Sequence, residues 1–250
     1  MQSSGESPGV EPIPAEPPCA HDRSESGCAA CKVRLISVCA ALTSEELSGL
    51  EALSQPVHLD PRQALFQQEG RAGAVYNVTE GALRLSRLLP DGRRQVMGFA
   101  MVGDFLGLAL SERFTVTAEA LAPTTLCRFE KRAFAGLVAR TPHLLQRLYE
   151  RAGHELTLAQ DHMLLLGRRT AEEKVASFLL GLRTRYARIG HDSITVELPM
   201  GRQDIADHLG LTIETVSRML TRLDREKALL IVPGGVRLLD VARLERIAAS

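Results

Sequence analysis

Residues 202–223 read RQDIADHLGLTIETVSRMLTRL, which is the pattern of two short helices joined by a tight turn. Ile205 and Leu209 give the first helix an apolar side, and Gly210 supplies the left-handed residue that such a turn requires. The hydroxyl of Thr212 can cap the second helix. This stretch therefore predicts a helix-turn-helix.

The second helix of the pair has two chemically different faces. Its apolar residues recur at helical spacing, which predicts a buried stripe made of Ile213, Val216, Leu220 and Leu223. The opposite side of its first turns carries Glu214, Ser217 and Arg218, whose side chains can bond to the edges of bases. Recognition helices read DNA with their N-terminal residues, so these three are the predicted base contacts. The alternative is a plain amphipathic helix with a solvent-exposed ion pair between Glu214 and Arg218.

The elements around this pair complete a winged helix-turn-helix. A helix is predicted from Ala171 to about Leu182, and a strand from Ile194 to Leu198. Two further apolar stretches flank Pro233-Gly234-Gly235, which predicts a hairpin that serves as the wing. We therefore expect residues 170–250 to form a DNA-binding domain.

The segment before this domain, residues 141–169, is predicted to be one long helix. Its apolar residues alternate at spacings of four and three, which is the seam of a helix pair: Ala152, Leu156, Ala159, Met163 and Leu166. The seam is regular and the helix has few other apolar faces, so we expect a homodimer. The alternative is packing on the helix's own domain. Asp161 falls outside the seam and is predicted to face solvent.

A series of short strand-like pieces, separated by glycine-rich turns, precedes the long helix and extends to about Phe129. Leu83 and Leu85 alternate with Arg84 and Ser86, as a half-buried strand requires. This spacing predicts a compact antiparallel roll. The predicted fold class is α+β, with an N-terminal antiparallel β-roll of the cyclic-nucleotide-binding type, a long dimerisation helix and a C-terminal winged helix-turn-helix.

The chain contains five cysteines. Three lie close together and a fourth stands far from them: Cys28, Cys31, Cys39 and Cys127. A two-residue gap lets two thiolates reach one metal centre, and thiolates bind iron and zinc alike. Judged by its strand-like surroundings alone, Cys127 is equally a fourth ligand or a small core residue. Cys19 and His21 are poor candidates because they lie in a proline-rich segment.

Length and composition limit the function further. At 250 residues and zero net charge, the chain has room for two modest domains and a tail. Residues 1–27 are rich in Pro, Ser, Glu and Gly and predict a disordered tail, which a sensor domain at 28–140 follows. Neither a signal peptide nor a bilayer-spanning apolar run is found, so we expect a cytoplasmic protein with reduced thiols. No dinucleotide fingerprint, phosphate loop or catalytic triad is found, which argues against an enzyme.

From about residue 28 onward, the chain resembles the FNR branch of the CRP/FNR family of transcription regulators. The resemblance rests on the cysteine cluster with its distant partner, on the glycine-punctuated roll, and on three motifs. These motifs are DHMLLL at 161–166, TAEEK at 170–174 and ETVSR at 214–218. The cysteine spacing is similar to that of the subset that includes the FixK, FnrL and AadR regulators.

The resemblance implies that the four cysteines ligate one oxygen-labile [4Fe-4S] cluster per subunit, and that oxygen weakens the DNA-binding dimer. It also implies a homodimer that reads a TTGAT-type inverted repeat, works with RNA polymerase and mainly activates genes of low-oxygen metabolism. The implied DNA-binding residues are Thr212, Glu214, Thr215, Ser217 and Arg218. The alternative is a regulator of the same family with a zinc site, or with thiols that respond to redox or NO chemistry.

The roll departs from the pattern of the cyclic-nucleotide binders in this family. Those proteins place a phosphate-binding Glu and an Arg-Ser pair near the position of Gly107. Here Leu108 follows Gly107, and Phe114 follows Arg113. We therefore expect no cyclic-nucleotide ligand.

Overall fold

The computed structural model describes residues 27–108, 111–191 and 193–249. The tail predicted for residues 1–27, with Cys19 and His21, therefore lies outside the described residues except for Gly27. Within the described ranges, no helix is long and apolar enough to cross a membrane.

The three clustered cysteines lie on a segment of short 3-10 turns that precedes the roll. The turns span Cys28–Ala30, Arg34–Ile36 and Val38–Ala41, and helix α1 (Ser44–Leu53) follows. A capping box starts α1, because the Thr43 hydroxyl accepts the N–H of Glu46 while the Glu46 carboxylate accepts the N–H of Thr43. We call residues 28–41 the cysteine segment.

Eight strands form the roll: β1 (Ser54–Leu59), β2 (Ala64–Phe66), β3 (Ala74–Glu80), β4 (Ala82–Leu88), β5 (Arg94–Met101), β6 (Phe105–Leu106), β7 (Thr117–Ala120) and β8 (Thr124–Glu130). They pair antiparallel in two four-stranded sheets with the orders β1-β8-β3-β6 and β2-β7-β4-β5. Side chains from both sheets meet in one apolar core, where Val78, Leu83 and Leu126 are fully buried. The predicted antiparallel β-roll is confirmed.

The alternation predicted along β4 holds only for its first half. The register of β4 against β5 shifts between Leu85 and Ser86, because β5 has one extra residue, Met97, between their partners Gly98 and Val96. Ser86, predicted on the polar face with Arg84, is buried. Arg84, predicted on the polar face, is not free in solvent, because its side chain is 12% exposed and bonds to Glu119 and Asp204. A second part of the molecule covers this face of the sheet.

Two helices follow the roll, α2 (Lys131–Arg140) and α3 (Pro142–Arg168). Pro142 opens α3, at a position where a missing N–H costs nothing. Of the 27 residues of α3, only Leu144 is buried. Most of this helix therefore lies on the surface of the single chain.

The C-terminal unit contains α4 (Ala171–Arg188), β9 (Thr195–Glu197), α5 (Arg202–Leu209), α6 (Ile213–Arg225), β10 (Leu229–Val232), β11 (Gly235–Leu238) and α7 (Val241–Ala249). The strands form a sheet in the order β10-β11-β9. Helix α4 is longer than predicted and continues past Leu182 to Arg188, where Arg185 and Arg188 complement the helix dipole. The predicted winged helix-turn-helix is confirmed.

The roll and the C-terminal unit share an apolar core. Val96, Phe99 and Met101 of β5 pack in the same buried cluster as the apolar faces of α4, α5 and α6. The ring of Phe99 contacts Phe178 of α4 edge-on, with centroids 6.1 Å apart. This shared core holds the C-terminal unit against the roll.

Candidate nucleic-acid interface and thiol cluster

The turn between α5 and α6 has the geometry that the sequence predicts. Gly210 ends α5 in the left-handed conformation, with φ 62° and ψ 42°, and its N–H donates to the carbonyl of Ala206. Thr212 caps α6, because its hydroxyl accepts the N–H of Thr215 at 3.2 Å. The cap and the turn together set the orientation of the first turn of α6 relative to α5.

Helix α6 is buried along the predicted stripe, with one exception. Val216, Leu220 and Leu223 are almost completely buried in the core that α4 and α5 share. Ile213 was predicted to belong to this stripe, but its side chain is 37% exposed. The prediction fails there because the first turn of α6 projects beyond the packed part of the unit.

The projecting turn carries the predicted base contacts. Glu214 and Arg218 are exposed, while Thr215 and Ser217 are half-buried. A hydrogen bond from its own backbone N–H, the Thr212 hydroxyl and the charge of Arg218 lower the pKa of Glu214, which therefore stays an ionised acceptor. Of the ion pairs found among the described residues, none joins Glu214 to Arg218. Both charged groups are therefore available to a ligand.

Arg202, at the start of α5, is an additional residue on this surface that sequence reasoning missed. Its guanidinium donates to the Ser217 hydroxyl at 3.2 Å, across the turn between the two helices. Arg218 in turn donates to Thr215 at 3.2 Å. The sequence signal was an arginine at the first position of α5, on the side of that helix opposite its apolar residues. We call Arg202, Glu214, Ser217 and Arg218 the reading face.

The predicted seam of α3 lies open on the single chain. Leu156 and Met163 are 60% and 64% exposed, and Ala152 and Ala159 are exposed as well. Leu166 is the exception, because its Cδ2 lies 3.3 Å from the position that a Cβ on Gly210 would occupy. The end of the predicted seam is therefore packed in part against the turn of the same chain.

The open surface also extends past the N-terminal end of the predicted seam. Leu145 and Tyr149 continue the spacing of four and three residues, and they are 55% and 80% exposed. The sequence carried this signal, since the heptad pattern does not stop at Ala152. Six apolar side chains, from Leu145 to Met163, thus form one unpartnered stripe along α3.

Three of the four predicted ligand cysteines border one small apolar core. Cys39 is buried, while Cys28 and Cys127 are half-buried and pack against the same cluster of side chains, which includes Phe129 and Phe134. The half-buried Cys31 follows at the end of the first 3-10 turn of the cysteine segment. Strand β8 therefore brings Cys127 next to residues almost one hundred positions earlier in the chain.

The thiols are close enough to influence one another's ionisation. Burial, followed by Cys127, Glu51, Cys39 and Cys31, raises the pKa of Cys28 to about 12. Burial also raises the pKa of Cys39. Among the described residues, no disulfide joins any of these cysteines. A thiolate here is destabilised until a cation compensates it.

The donor set fits a thiophilic metal centre in number and type. Cys28, Cys39 and Cys127 border one apolar cluster, and Cys31 lies near enough to raise the pKa of Cys28 and of Cys39. A bound metal ion would offset the cost of ionising such neighbouring thiols. Among the described residues, however, no three His, Cys, Asp or Glu side chains have an arrangement that could already hold a metal ion. Ligation of a cluster or an ion would require the cysteine segment to move.

The roll also encloses a small apolar cavity. It has a volume of about 100 Å³ and is lined by residues such as Leu85, Leu106 and Phe114. Phe66 stacks on Phe114 with centroids 3.7 Å apart. The guanidinium of the adjacent Arg113 donates to the carbonyl of Glu69 at 2.6 Å, so this cation already has an acceptor in the protein.

Two family models match this chain. Residues 56–141 match a cyclic nucleotide-binding domain, and residues 173–247 match a Crp-like helix-turn-helix domain. The first covers most of the roll, and the second covers the unit that carries the reading face.

Several curated proteins are similar over nearly the whole chain. The nitrogen fixation regulation protein FixK of Bradyrhizobium diazoefficiens is 50% identical over 89% of this chain and 94% of its own length. The transcriptional activatory protein AadR of Rhodopseudomonas palustris is 50% identical over 88% of this chain and 92% of its own. The transcriptional activator protein FnrL of Cereibacter sphaeroides is 35% identical, with 86% and 91% covered.

The fold is similar to solved structures as well. The structure of FixK2 from Bradyrhizobium japonicum superposes with a TM-score of 0.74 at 34% identity, covering 79% of this chain and 98% of that one. The similarity therefore extends over the roll, the long helix and the C-terminal unit together.

Proposed function

Because the chain belongs to the CRP/FNR family of transcription regulators, as a DNA-binding regulator of the FixK and FnrL type, we propose that it is an oxygen-responsive member. Its signal would be read at the four cysteines, and its output would be the affinity of a homodimer for promoter DNA. It would act in the cytoplasm, mainly as an activator of genes for anaerobic and microaerobic life, with no enzymatic activity.

The observation that supports the proposal is that Cys28, Cys39 and Cys127 border one apolar cluster, with Cys31 near enough to affect the ionisation of Cys28 and Cys39. Cys28, Cys31, Cys39 and Cys127 would hold a [4Fe-4S] cluster, one per subunit. Such a cluster, when bound, would supply the sensitivity to oxygen, because oxygen would convert or destroy it. The chain's own contribution is an apolar surround, formed by residues such as Phe129 and Phe134, which limits access of water to the sulfurs.

The reading face supports the DNA-binding half of the proposal. Two copies of α6 in a dimer would enter successive major grooves and read the two halves of an inverted repeat of the TTGAT type. Arg218 would bond to guanine, Glu214 would accept from cytosine, and Ser217 can serve either kind of base edge. Thr212 would hold the helix start, and Thr215 would orient Arg218.

The stripe on α3 supports the dimer, since six exposed apolar side chains on one helix are costly in water.

We propose RNA polymerase as a further partner, because an activator must act on the enzyme at the promoter. We propose no cyclic-nucleotide ligand, because Leu108 and Phe114 stand where phosphate-binding residues would be needed.

A second candidate function keeps the DNA binding and changes the signal. Thiolates bind zinc as well as iron, so the same cysteines would hold zinc instead, or would respond directly as thiols to redox or NO chemistry. In that case the same cysteines would act without iron.

The test is the content of iron and acid-labile sulfide per chain in protein purified without air. We expect about four of each, both lost on exposure to air. Cys28→Ser and Cys127→Ser should each lower both contents, while the matched control Cys19→Ser should not. Zinc in place of iron, or no metal in the wild-type protein, would contradict the iron–sulfur proposal and leave the second candidate.

A further inference from the structure

Asp104 lies where three parts of the molecule meet. It follows strand β5 of the roll, and its carboxylate accepts hydrogen bonds from Arg151 of α3 and from Arg185 of α4. One of its oxygens also accepts the N–H of Met101 at 2.9 Å. The side chain is only 18% exposed. A single carboxylate thus joins the roll, the helix with the apolar stripe and the first helix of the DNA-binding unit.

Each arginine is held at more than one point. Arg185 also donates to the carbonyl of Phe99 at 2.9 Å, which ties α4 to strand β5. Arg151 also lies 3.4 Å from the carboxylate of Glu155 on its own helix. Because charge-assisted bonds to a shielded carboxylate are strong, a shift of the roll at Asp104 moves both helices or breaks a bond to one of them.

The residue before Asp104 lies close to the cysteine segment. Gly103 has φ +87°, and a Cβ at this position would lie 3.1 Å from both Cγ1 and Cδ1 of Ile36. Ile36 lies between Cys31 and Cys39. The backbone on either side of Asp104 is tied to β3, because Gly103 donates to Val78 and Val78 donates to the carbonyl of Asp104. A movement of the cysteine segment therefore bears directly on the backbone that carries Asp104.

We propose that Asp104 is a positioning residue that transmits the state of the cysteine segment to α3 and to the DNA-binding unit. The inference rests on the proposed function, since it concerns how the cysteine signal reaches the reading face. Among the described residues, the hydrogen bonds of the Asp104 carboxylate join it to Met101, Arg151 and Arg185 and not to a thiol. It acts through Ile36 and Gly103 on one side, and through Arg151 and Arg185 on the other.

The test compares Asp104→Asn with the wild-type protein, both as full chains purified without air. Three quantities are measured before and after exposure to air: iron per chain, dimer dissociation by sedimentation, and the Kd for an inverted-repeat DNA. We expect Asp104→Asn to bind iron as the wild type does. Its air-free affinity for the specific DNA should fall about tenfold, because charge-assisted hydrogen bonds are lost. For this variant, the ratio of the Kd for DNA after exposure to air to the Kd before it should be about twofold or less.

The matched control is Asp91→Asn, which removes the same charge from an exposed turn where the bonds found for Asp91 among the described residues go to its neighbour Arg93. This control should keep the wild-type response to air. Asp104→Glu, which retains the carboxylate, should restore part of the response, and a purely structural role would not predict this recovery. Arg185→Lys keeps the charge but loses the guanidinium that bonds to both Asp104 and Phe99. It replaces Asp104→Asn in the test if that variant does not fold.

The outcomes separate the inference from the proposed function. An Asp104→Asn protein that keeps the wild-type ratio of Kd values with and without air would overturn the role of Asp104 and leave the sensing intact. A wild-type protein with no response to air would overturn the sensing proposal, and the transmission with it. Loss of iron from Asp104→Asn would also contradict the inference, since it would make the residue part of the metal site.

Discussion

At the scale of single residues, the reading face depends on side chains that the fold leaves open. Arg218 is exposed and bonds only weakly to a neighbour, Thr215, so its guanidinium can turn toward a base at small cost. The same helix presents Glu214 as an ionised acceptor. The chemistry of this surface therefore resides in a few groups, each of which can be tested by itself.

We expect Arg218→Ala to weaken binding to a specific inverted repeat by about 1–3 kcal/mol per recognition helix, because a bidentate contact to guanine is lost. Binding to a scrambled DNA should change much less, and titrations at fixed salt measure both affinities. The control is Arg225→Ala, which removes the same charge from the exposed end of α6. Equal losses on both DNAs would identify Arg218 as a phosphate contact.

His208 gives a second prediction at this scale. It stacks on His162 of α3 with centroids 4.3 Å apart, and its Nδ1 lies 3.3 Å from the carbonyl of Val96. Burial, and then the neighbouring His162 and Arg185, lower the pKa of His208 to about 4. An unfolded chain takes up this proton near pH 6.5. The folded protein therefore loses stability as pH falls from about 6.5 to about 4, by about 1.4 kcal/mol per pH unit.

Urea unfolding at several pH values measures this effect. His208→Gln should flatten the decline between pH 6.5 and pH 4, although some slope remains because burial also lowers the pKa of His162. His58→Gln, on the exposed surface of β1, is the matched control and should keep the wild-type slope. If His208→Gln has the wild-type slope, His208 is not the group responsible.

At the scale of elements, α3 is a helix whose own chain does not cover it. Its stripe of exposed apolar side chains, from Leu145 to Met163, follows the heptad spacing of a helix pair. Isolated leucines on a surface are ordinary, but a continuous stripe indicates a partner. A second copy of the same helix fits, because its stripe is equally apolar.

We expect Leu156→Glu to dissociate the dimer. Burial of a leucine side chain contributes about 1.5–3 kcal/mol, and two-fold symmetry counts the change twice, so the dimer Kd should rise about 100-fold or more. Sedimentation equilibrium measures the shift. Leu158→Glu introduces the same charge at a residue outside the stripe and should leave the Kd almost unchanged. Dissociation by both variants would place the interface elsewhere on α3.

At the scale of the whole molecule, α5 docks on the sheet that contains β5. Asp204 accepts from Arg84 at 2.5 Å, and Asp207 accepts from Arg94 at 2.7 Å. Gln95 adds a bond to the Asp207 carbonyl at 2.6 Å. Together with the core that β5 shares with α4, these contacts set the angle at which the reading face leaves the roll.

We expect Arg94→Gln to loosen this docking without unfolding either part. Loss of the charge-assisted bonds to the two aspartates should cost about 1–3 kcal/mol. Hydrogen exchange followed by mass spectrometry should detect faster exchange in α5, while the amides of β3 and β8 keep their protection. Arg93→Gln is the control, because the ion pair found for Arg93 within the described ranges is with the exposed Asp91. Unchanged exchange in α5 would mean that the apolar core alone holds the units together.

Much of this molecule was readable from the sequence because the signals are local. Gly210 and Thr212 mark the turn and the cap, the spacing of Val216, Leu220 and Leu223 identifies the buried stripe, and the heptads of α3 predict an unpartnered helix. These patterns follow from backbone geometry and the 3.6-residue period, which depend on neighbours a few positions away.

Other features were decided only by the tertiary structure. Ile213 is exposed although its spacing predicts burial, Leu166 packs on Gly210, and Arg84 is covered by Asp204 from 120 positions away. The junction at Asp104 joins three segments that have no sequence relation to one another. Such contacts depend on how separately formed elements dock. The arrangement in which the elements pack depends on the burial and charge pairing of the whole chain, and no local sequence pattern specifies it.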